Sequence, residues 1–268
     1  ESASVLSATI GNMSAIRLGT RASTLATTQS EMVAGLLRSE GLDVNLTTIT
    51  THGDTSTASL AAMGGIGVFA SAIRAALLEG EADIAVHSFK DLPTGRPLGL
   101  AIGAVPARAD PRDALVARDG LTLHDLPQEA SVGTGSPRRA AQLLAVRPDL
   151  TIVDIRGNVD TRLGRVKGLG HYAKGGGKED LDAVVLAASG LARLGHSGTV
   201  TEFLDPSVVL PAPAQGALAV ECRTADSRHG KLAKALARID DRRTRLAATA
   251  ERAVLSHLEA GCAAPIGA

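Results

Sequence analysis

Short apolar runs alternate along the chain with longer stretches in which apolar positions recur at helical spacing. Such alternation predicts strands threaded through helices, the α/β class built on mainly parallel sheets. Residues 16–20 (IRLGT) predict the first strand. Residues 24–39 follow as a helix, with Leu25, Met32, Val33, Leu36 and Leu37 near one face and Gly41 as a stop. Residues 44–50 predict a second strand. Val68, Phe69, Ala72, Ile73, Ala76 and Leu77 predict a helix over 68–79, ended by Gly80. Residues 83–87 and 100–105 are apolar without strict alternation, as in strands covered on both faces.

From about residue 107 the pattern restarts. Strands are predicted at 114–117, 131–133, 151–155 and 183–188, and helices at 140–146 and 159–166. Two α/β units in succession imply two lobes with a cleft, where ligands lie beyond the carboxyl ends of strands. The glycine-rich, polar segment 167–180 predicts a mobile surface loop with no catalytic part. Residues 217–221 read as a strand crossing back into the first lobe. Helices are expected near 226–238 and 242–259, and Gly261 caps the second just before Cys262. Residues 1–12 read as a leader, with Met13 as the natural start.

Composition narrows the function classes. At 268 residues the chain fits two or three domains. Basic and acidic residues number 28 each, so nothing global draws the protein to nucleic acid or an anionic membrane. Three Phe, one Tyr and no Trp leave too few rings for base stacking. No run approaches the ~20 apolar residues of a membrane span. The two cysteines, Cys222 and Cys262, form neither a disulfide framework nor a Cys-x-x-Cys metal pair, which suits the cytoplasm. No Walker A loop or metal-binding His pair occurs, and Gly64-Gly65-Ile66-Gly67 does not directly follow a strand as a dinucleotide fingerprint would.

The informative residues sit where strands end. Arg21 and Ser23 follow the first strand, and Lys90 and Asp91 follow the strand at 83–87. Thr134, Ser136, Arg138 and Arg139 follow residues 131–133, and Arg156 follows 151–155 with Arg162 beyond it. Cations near helix N-termini are locally unfavourable, so their repetition at several strand ends points to a bound anion rather than to solvated surface arginines. Asp91 suits either a catalytic carboxylate or an ion-pair partner of Lys90. Cys262 lies in a Gly/Pro-flanked loop and suits a nucleophile or an attachment point, whereas Cys222 reads as a small buried hydrophobe.

Nine stretches carry a resemblance: IRLGTRAS, HGDTS, ADIAVHSFKDLP, DPRDAL, VGTGSPRRAAQL, RGNVDTRL, LPAPAQGALAVECR, TAERAVL and LEAGCAAPIG. In these the chain resembles the porphobilinogen deaminase (hydroxymethylbilane synthase) family of tetrapyrrole and heme biosynthesis, in an actinobacterial-looking version. The resemblance implies two doubly wound lobes like those of type II periplasmic binding proteins, with a small α+β third domain. The expected division is 14–106 with 213–228, then 107–212, then 229–268. The implied reaction is head-to-tail condensation of porphobilinogen with loss of ammonia, by a monomer. The implied cofactor is a dipyrromethane held by a thioether to Cys262. Asp91 matches the catalytic aspartate. Lys90, Thr134, Ser136, Arg138, Arg139 and Arg162 match the cofactor-binding set, and Arg21, Ser23, Arg156 and Gln215 the substrate-binding set.

Two departures shape expectations. Family members often carry lysines where this chain has Ala62 and Ile66, so the lid there is expected to differ in charge. They also continue past the cysteine loop, so the third domain of a chain ending at Ala268 is expected to be incomplete. Two alternatives stay open at this level. A non-catalytic two-lobed binder of small carboxylates needs neither Asp91 nor Cys262, and a degenerate enzyme binds pyrroles without elongating them.

Overall fold

The computed structural model describes residues 15–49, 67–95, 97–258 and 264–268. The first sheet contains β1 (Ile16–Thr20), β2 (Val44–Thr48), β3 (Ile84–Ser88), β4 (Leu100–Ala104) and, from much later in the chain, β10 (Leu218–Arg223), in the order β2-β1-β3-β10-β4. The second contains β5 (Asp113–Ala117), β6 (Ser131–Gly133), β7 (Thr151–Val153), β8 (Ala183–Ala187) and β9 (Glu202–Phe203), in the order β7-β6-β8-β5-β9. Both sheets are mixed rather than parallel. β10 runs antiparallel to β3 and β4, and β5 runs antiparallel to β8 and β9. β10 can do so because it returns from the other lobe and needs no helical crossover within its own sheet.

Helices cover both faces of each sheet. α1 (Thr24–Ser39) buries Val33, Ala34 and Leu37 against Leu18, Ile84 and Val220. On the opposite face, α2 (Gly67–Leu78) packs Ile73 and Leu77 against Ala82, Ala85 and Leu100. In the second lobe, α3 (Pro137–Val146) sets Leu143 against Leu115, Val132 and Val185. α4 (Val159–Leu163) and α5 (Ala188–Arg193) set Leu163 and Leu191 against Val116, Val184 and Leu186. Adjacent residues such as Leu115 and Val116 thus serve opposite faces, so both must be apolar and the strand shows no alternation. The segment expected as a surface loop is pinned to this lobe, with Leu169 and Tyr172 packed on its core.

α6 (Gly230–Ile239) packs on the first sheet, burying Leu236 in the core with Val220 and Cys222. α7 (Arg242–His257) lays Ala248 against Phe89, Leu92, Val105 and Ala217, near the crossover into β10.

The crossover before β10 is backbone-limited. Gly216 has φ +87°, and a Cβ there would lie 2.5 Å from the Ala109 carbonyl oxygen. Gly216→Ala is expected to destabilise by roughly 2–3 kcal/mol, from the left-handed backbone and that clash together. Urea unfolding tests this, and an unchanged midpoint would contradict the close approach.

Candidate active site

In the second lobe the chain leaves β6 at Gly133 and turns sharply. Gly135 passes so close to β7's exit that a Cβ would lie 2.7 Å from the Ile155 carbonyl oxygen. The Thr134 hydroxyl accepts from Ser136 N–H at 3.2 Å, and Ser136 caps α3 by accepting from Arg139 N–H at 3.4 Å. Pro137 fills the first helical position, where a missing N–H is harmless. This turn delivers Arg138 and Arg139 inward, only 4% and 6% exposed.

The arginines meet a carboxylate already in the protein. Asp113, at the start of β5, is fully buried. Its Oδ2 accepts from Arg138 Nη2 at 2.7 Å, and its Oδ1 from Arg139 Nε at 3.0 Å and Nη2 at 2.7 Å. Arg139 Nη1 also donates to the Val185 carbonyl at 3.1 Å, and Arg138 Nη1 to that of Leu210. Burial pushes the Asp113 carboxyl up, but the charges of Arg139 and Arg138 and their hydrogen bonds overcome it and hold it at about 2. The helix-start arginines are therefore neither solvated nor unbalanced.

Beyond them lie more cations. Arg156 is exposed and pairs with exposed Asp154 at 3.3 Å, a weak tie. Arg162, on α4, donates Nε to the Gly157 carbonyl at 2.8 Å. Its guanidinium is pushed down by burial and by the neighbouring charges of Arg139 and Arg156. Like charges crowded in this way favour an anion among them.

In the first lobe, β1 and β3 are parallel neighbours, so Arg21 and Ser23 leave the sheet at the same end as Lys90 and Asp91. Ser23 caps α1, accepting from Ala26 N–H at 3.3 Å. Asp91 closes a single 3-10 turn, Phe89–Asp91, and its side chain is exposed. Lys90 Nζ donates to Gln215 Oε1 at 3.1 Å. Gln215 is fully buried and donates Nε2 to the Pro111 carbonyl and to Asp113 Oδ1, each at 2.8 Å. Burial pushes the Lys90 ammonium down to about 8, with Asp91 and Asp113 opposing that shift and Arg139 and Arg138 assisting it.

Lys90, Gln215, Arg138, Arg139, Arg162 and Arg156 thus form one strip along the strand ends of both lobes, with Asp91 at its first-lobe end. The strip holds more positive than negative groups, so it can bind a polyanion and present the exposed Asp91 carboxylate beside it. Cys262, Ala62 and Ile66 lie outside the described residues. The residues after the cysteine run along the crossover, where Ala268 N–H donates to the Pro211 carbonyl at 3.1 Å. The adjacent Leu210 carbonyl is the one that Arg138 holds.

Sequence reasoning missed the residues that hold this strip. Asp113 stood in the DPRDAL motif but gave no sign of its partners. Arg252 of α7 donates Nη1 to the Phe89 and Leu92 carbonyls at 2.9 and 2.8 Å and Nη2 to that of Pro93 at 2.8 Å. It also lies over the Phe89 ring at 4.5 Å, so one side chain grips the loop that carries Asp91. Arg108 pairs with Glu251 at 2.5 and 2.8 Å and donates Nε to the Gln215 carbonyl at 2.7 Å, tying α7 to the crossover. Arg193 donates Nη2 to the Gly216 carbonyl at 2.7 Å, while its buried Nε has no hydrogen-bond partner. Burial alone pushes that guanidinium down to about 10.

Residues 16–231 match the family model "Porphobilinogen deaminase, dipyromethane cofactor binding domain", and residues 245–268 match "Porphobilinogen deaminase, C-terminal domain". The chain is 99% identical over 256 residues to a porphobilinogen deaminase of Cutibacterium acnes, covering 96% of this chain and 77% of that one. It is 58% identical to that of Micrococcus luteus, covering 96% and 73% of the two chains. Among solved structures, a periplasmic substrate-binding protein of an ABC transporter from Coxiella burnetii aligns with a TM-score of 0.49 and 17% identity, over 88% of this chain and 96% of that one.

Proposed function

The chain belongs to the porphobilinogen deaminase family, and from that premise we propose how its own residues divide the work. The enzyme is a transferase that condenses porphobilinogen units head-to-tail into hydroxymethylbilane, releasing ammonia, in porphyrin biosynthesis. That activity displaces the reading as a non-catalytic binder of carboxylates.

The observation that carries the proposal is the cationic strip running from Lys90 to Arg162. Every pyrrole unit bears an acetate and a propionate, so a growing chain accumulates carboxylates. Arg138, Arg139, Arg162 and Lys90, with the hydroxyls of Thr134 and Ser136, would hold a dipyrromethane by its carboxylates. The excess of cations, with Arg139 and Arg156 crowding Arg162, suits those carboxylates. When bound, the dipyrromethane supplies the free pyrrole α-carbon from which the chain grows, and Cys262 is its proposed thioether anchor. Arg21, Ser23 and Arg156 bind the incoming porphobilinogen. Gln215, with both Nε2 hydrogens occupied by the protein, serves that pocket by fixing Lys90.

Asp91 supplies charge where the reaction needs it. Each unit loses ammonia from its aminomethyl arm, the methylene carbon bonds to the next ring, and that ring's α-proton departs. Positive charge develops on the pyrrole N–H groups meanwhile, and a fixed carboxylate aimed at them lowers the barrier. Arg252 keeps the Asp91 loop in place throughout.

The proposed division is residues 14–106 with 213–228, then 107–212, then 229–268, and the packing of α6 on the first sheet favours moving 230–239 to the first lobe. A cytoplasmic monomer without a nucleic-acid or membrane partner belongs to the same proposal. No helix among the described residues is long and apolar enough to cross a membrane.

The test is the pH profile. Lys90 must be an ammonium to hold a carboxylate; without a ligand its protonation is lost as pH rises through about 8, and a carboxylate held against it moves that loss to higher pH. The kcat/KM for porphobilinogen is expected to fall above that pH, by roughly tenfold per unit. In Lys90→Gln the limb should disappear at a lower overall rate. A Lys90→Gln variant that keeps the wild-type kcat/KM and dipyrromethane loading removes Lys90 from the binding set.

A further inference from the structure

We propose that Asp113 is the positioning residue of the site: one buried carboxylate fixes Arg138 and Arg139 directly, and Lys90 through Gln215, so that cations from both lobes are set by a single group. The inference rests on the reading that these cations hold the carboxylates of the dipyrromethane and porphobilinogen.

Geometry carries it. Asp113 is fully buried, and its two oxygens accept three hydrogen bonds from the two guanidiniums. The same Oδ1 accepts from Gln215 Nε2 at 2.8 Å, and Gln215 Oε1 accepts from Lys90 Nζ at 3.1 Å. The chain of contacts therefore starts on β5 in the second lobe, passes through the crossover, and ends beside Asp91 in the first. Arginines without such a partner would be two mobile like charges in a low-dielectric pocket, repelling each other and open to several rotamers. With it, each presents a fixed edge. A clamp preset in this way orders a polyanionic chain without reorganising at each addition.

The arrangement also predicts a charge effect that packing alone would not produce. The groups acting on the Lys90 ammonium are Asp91 and Asp113, which support it, and Arg139 and Arg138, which oppose it. Removing the charge at Asp113 takes away one of the two supporting carboxylates and leaves both opposing guanidiniums. The Lys90 proton should then be lost at lower pH.

The experiment compares the full-length wild type with Asp113→Asn and Asp113→Glu. Intact mass reads dipyrromethane loading, circular dichroism reads the fold, and kcat/KM for porphobilinogen is followed against pH. The asparagine variant, close in shape, is expected to lose about 100-fold in kcat/KM and to shift its alkaline limb to lower pH. The glutamate variant keeps the charge, so its limb should stay in place, yet its longer arm displaces the arginines and kcat/KM should still fall. An asparagine variant that folds, loads and keeps the wild-type limb and kcat/KM overturns the proposal.

Should the asparagine variant not fold, Gln215→Met breaks only the link to Lys90. It is expected to load normally and to shift the limb downward, and an unmoved limb is again fatal. A wild type with no alkaline limb at pH 8 or above, or with no pyrrole mass, would instead count against the underlying reading of the site.

Discussion

Asp91→Asn is expected to lower kcat by about 10³-fold, because it removes the one charged group placed where positive charge develops. Asp91 is exposed at the end of a short turn, so the loss should come without unfolding. The loop is held by buried Phe89 and by the three carbonyls that Arg252 grips. Thermal unfolding followed alongside separates a lost charge from a lost fold. Asp91 also supports the Lys90 ammonium, so the residual activity should lose its alkaline limb at a lower pH than the wild type. Steady-state kinetics with mass spectrometry of the loaded protein decides the matter. A variant that retains even a tenth of wild-type kcat would mean that the charge is supplied elsewhere.

The asymmetry between Asp91 and Asp113 shows what a sequence reveals about such a site. Asp91 stands out as a candidate because it follows a buried strand in a motif that also contains a cation. Asp113 also sits in a motif, but its role depends on Arg138 and Arg139, some 25 residues on, and on Gln215, about a hundred residues on. Arg252 is further still from the loop it grips. Hydrophobic period places elements and ends, and so it located α1 and β1 within their observed bounds. It carries no information on which side chains meet across a cleft. It was equally silent on strand direction, since an apolar run reads the same whether it enters the sheet from above or below. Hence β5 and β10 were found, but not their antiparallel sense. Short elements such as α5 and β9 escaped because too few residues lie in them to establish a period.

Cys262→Ser is expected to abolish turnover and to remove from the intact mass an excess equal to two linked pyrrole units. A thioether requires a thiolate able to attack carbon, and a serine hydroxyl at neutral pH does not replace it. The chain has just one other cysteine, which makes the experiment unusually clean. Cys222 is completely buried on β10, and burial pushes its thiol up to about 11, so at neutral pH it is neither reachable nor ionised. Cys222→Ala should therefore retain the pyrrole mass, at the cost of a small cavity beside Val220 and Leu236. Residues 264–268 lie along Leu210 and Pro211, and Arg138 holds the Leu210 carbonyl. If the mass excess survives in Cys262→Ser and vanishes in Cys222→Ala, the anchor is misassigned. The strip of cations would then have to be read as holding a group attached from inside the first lobe.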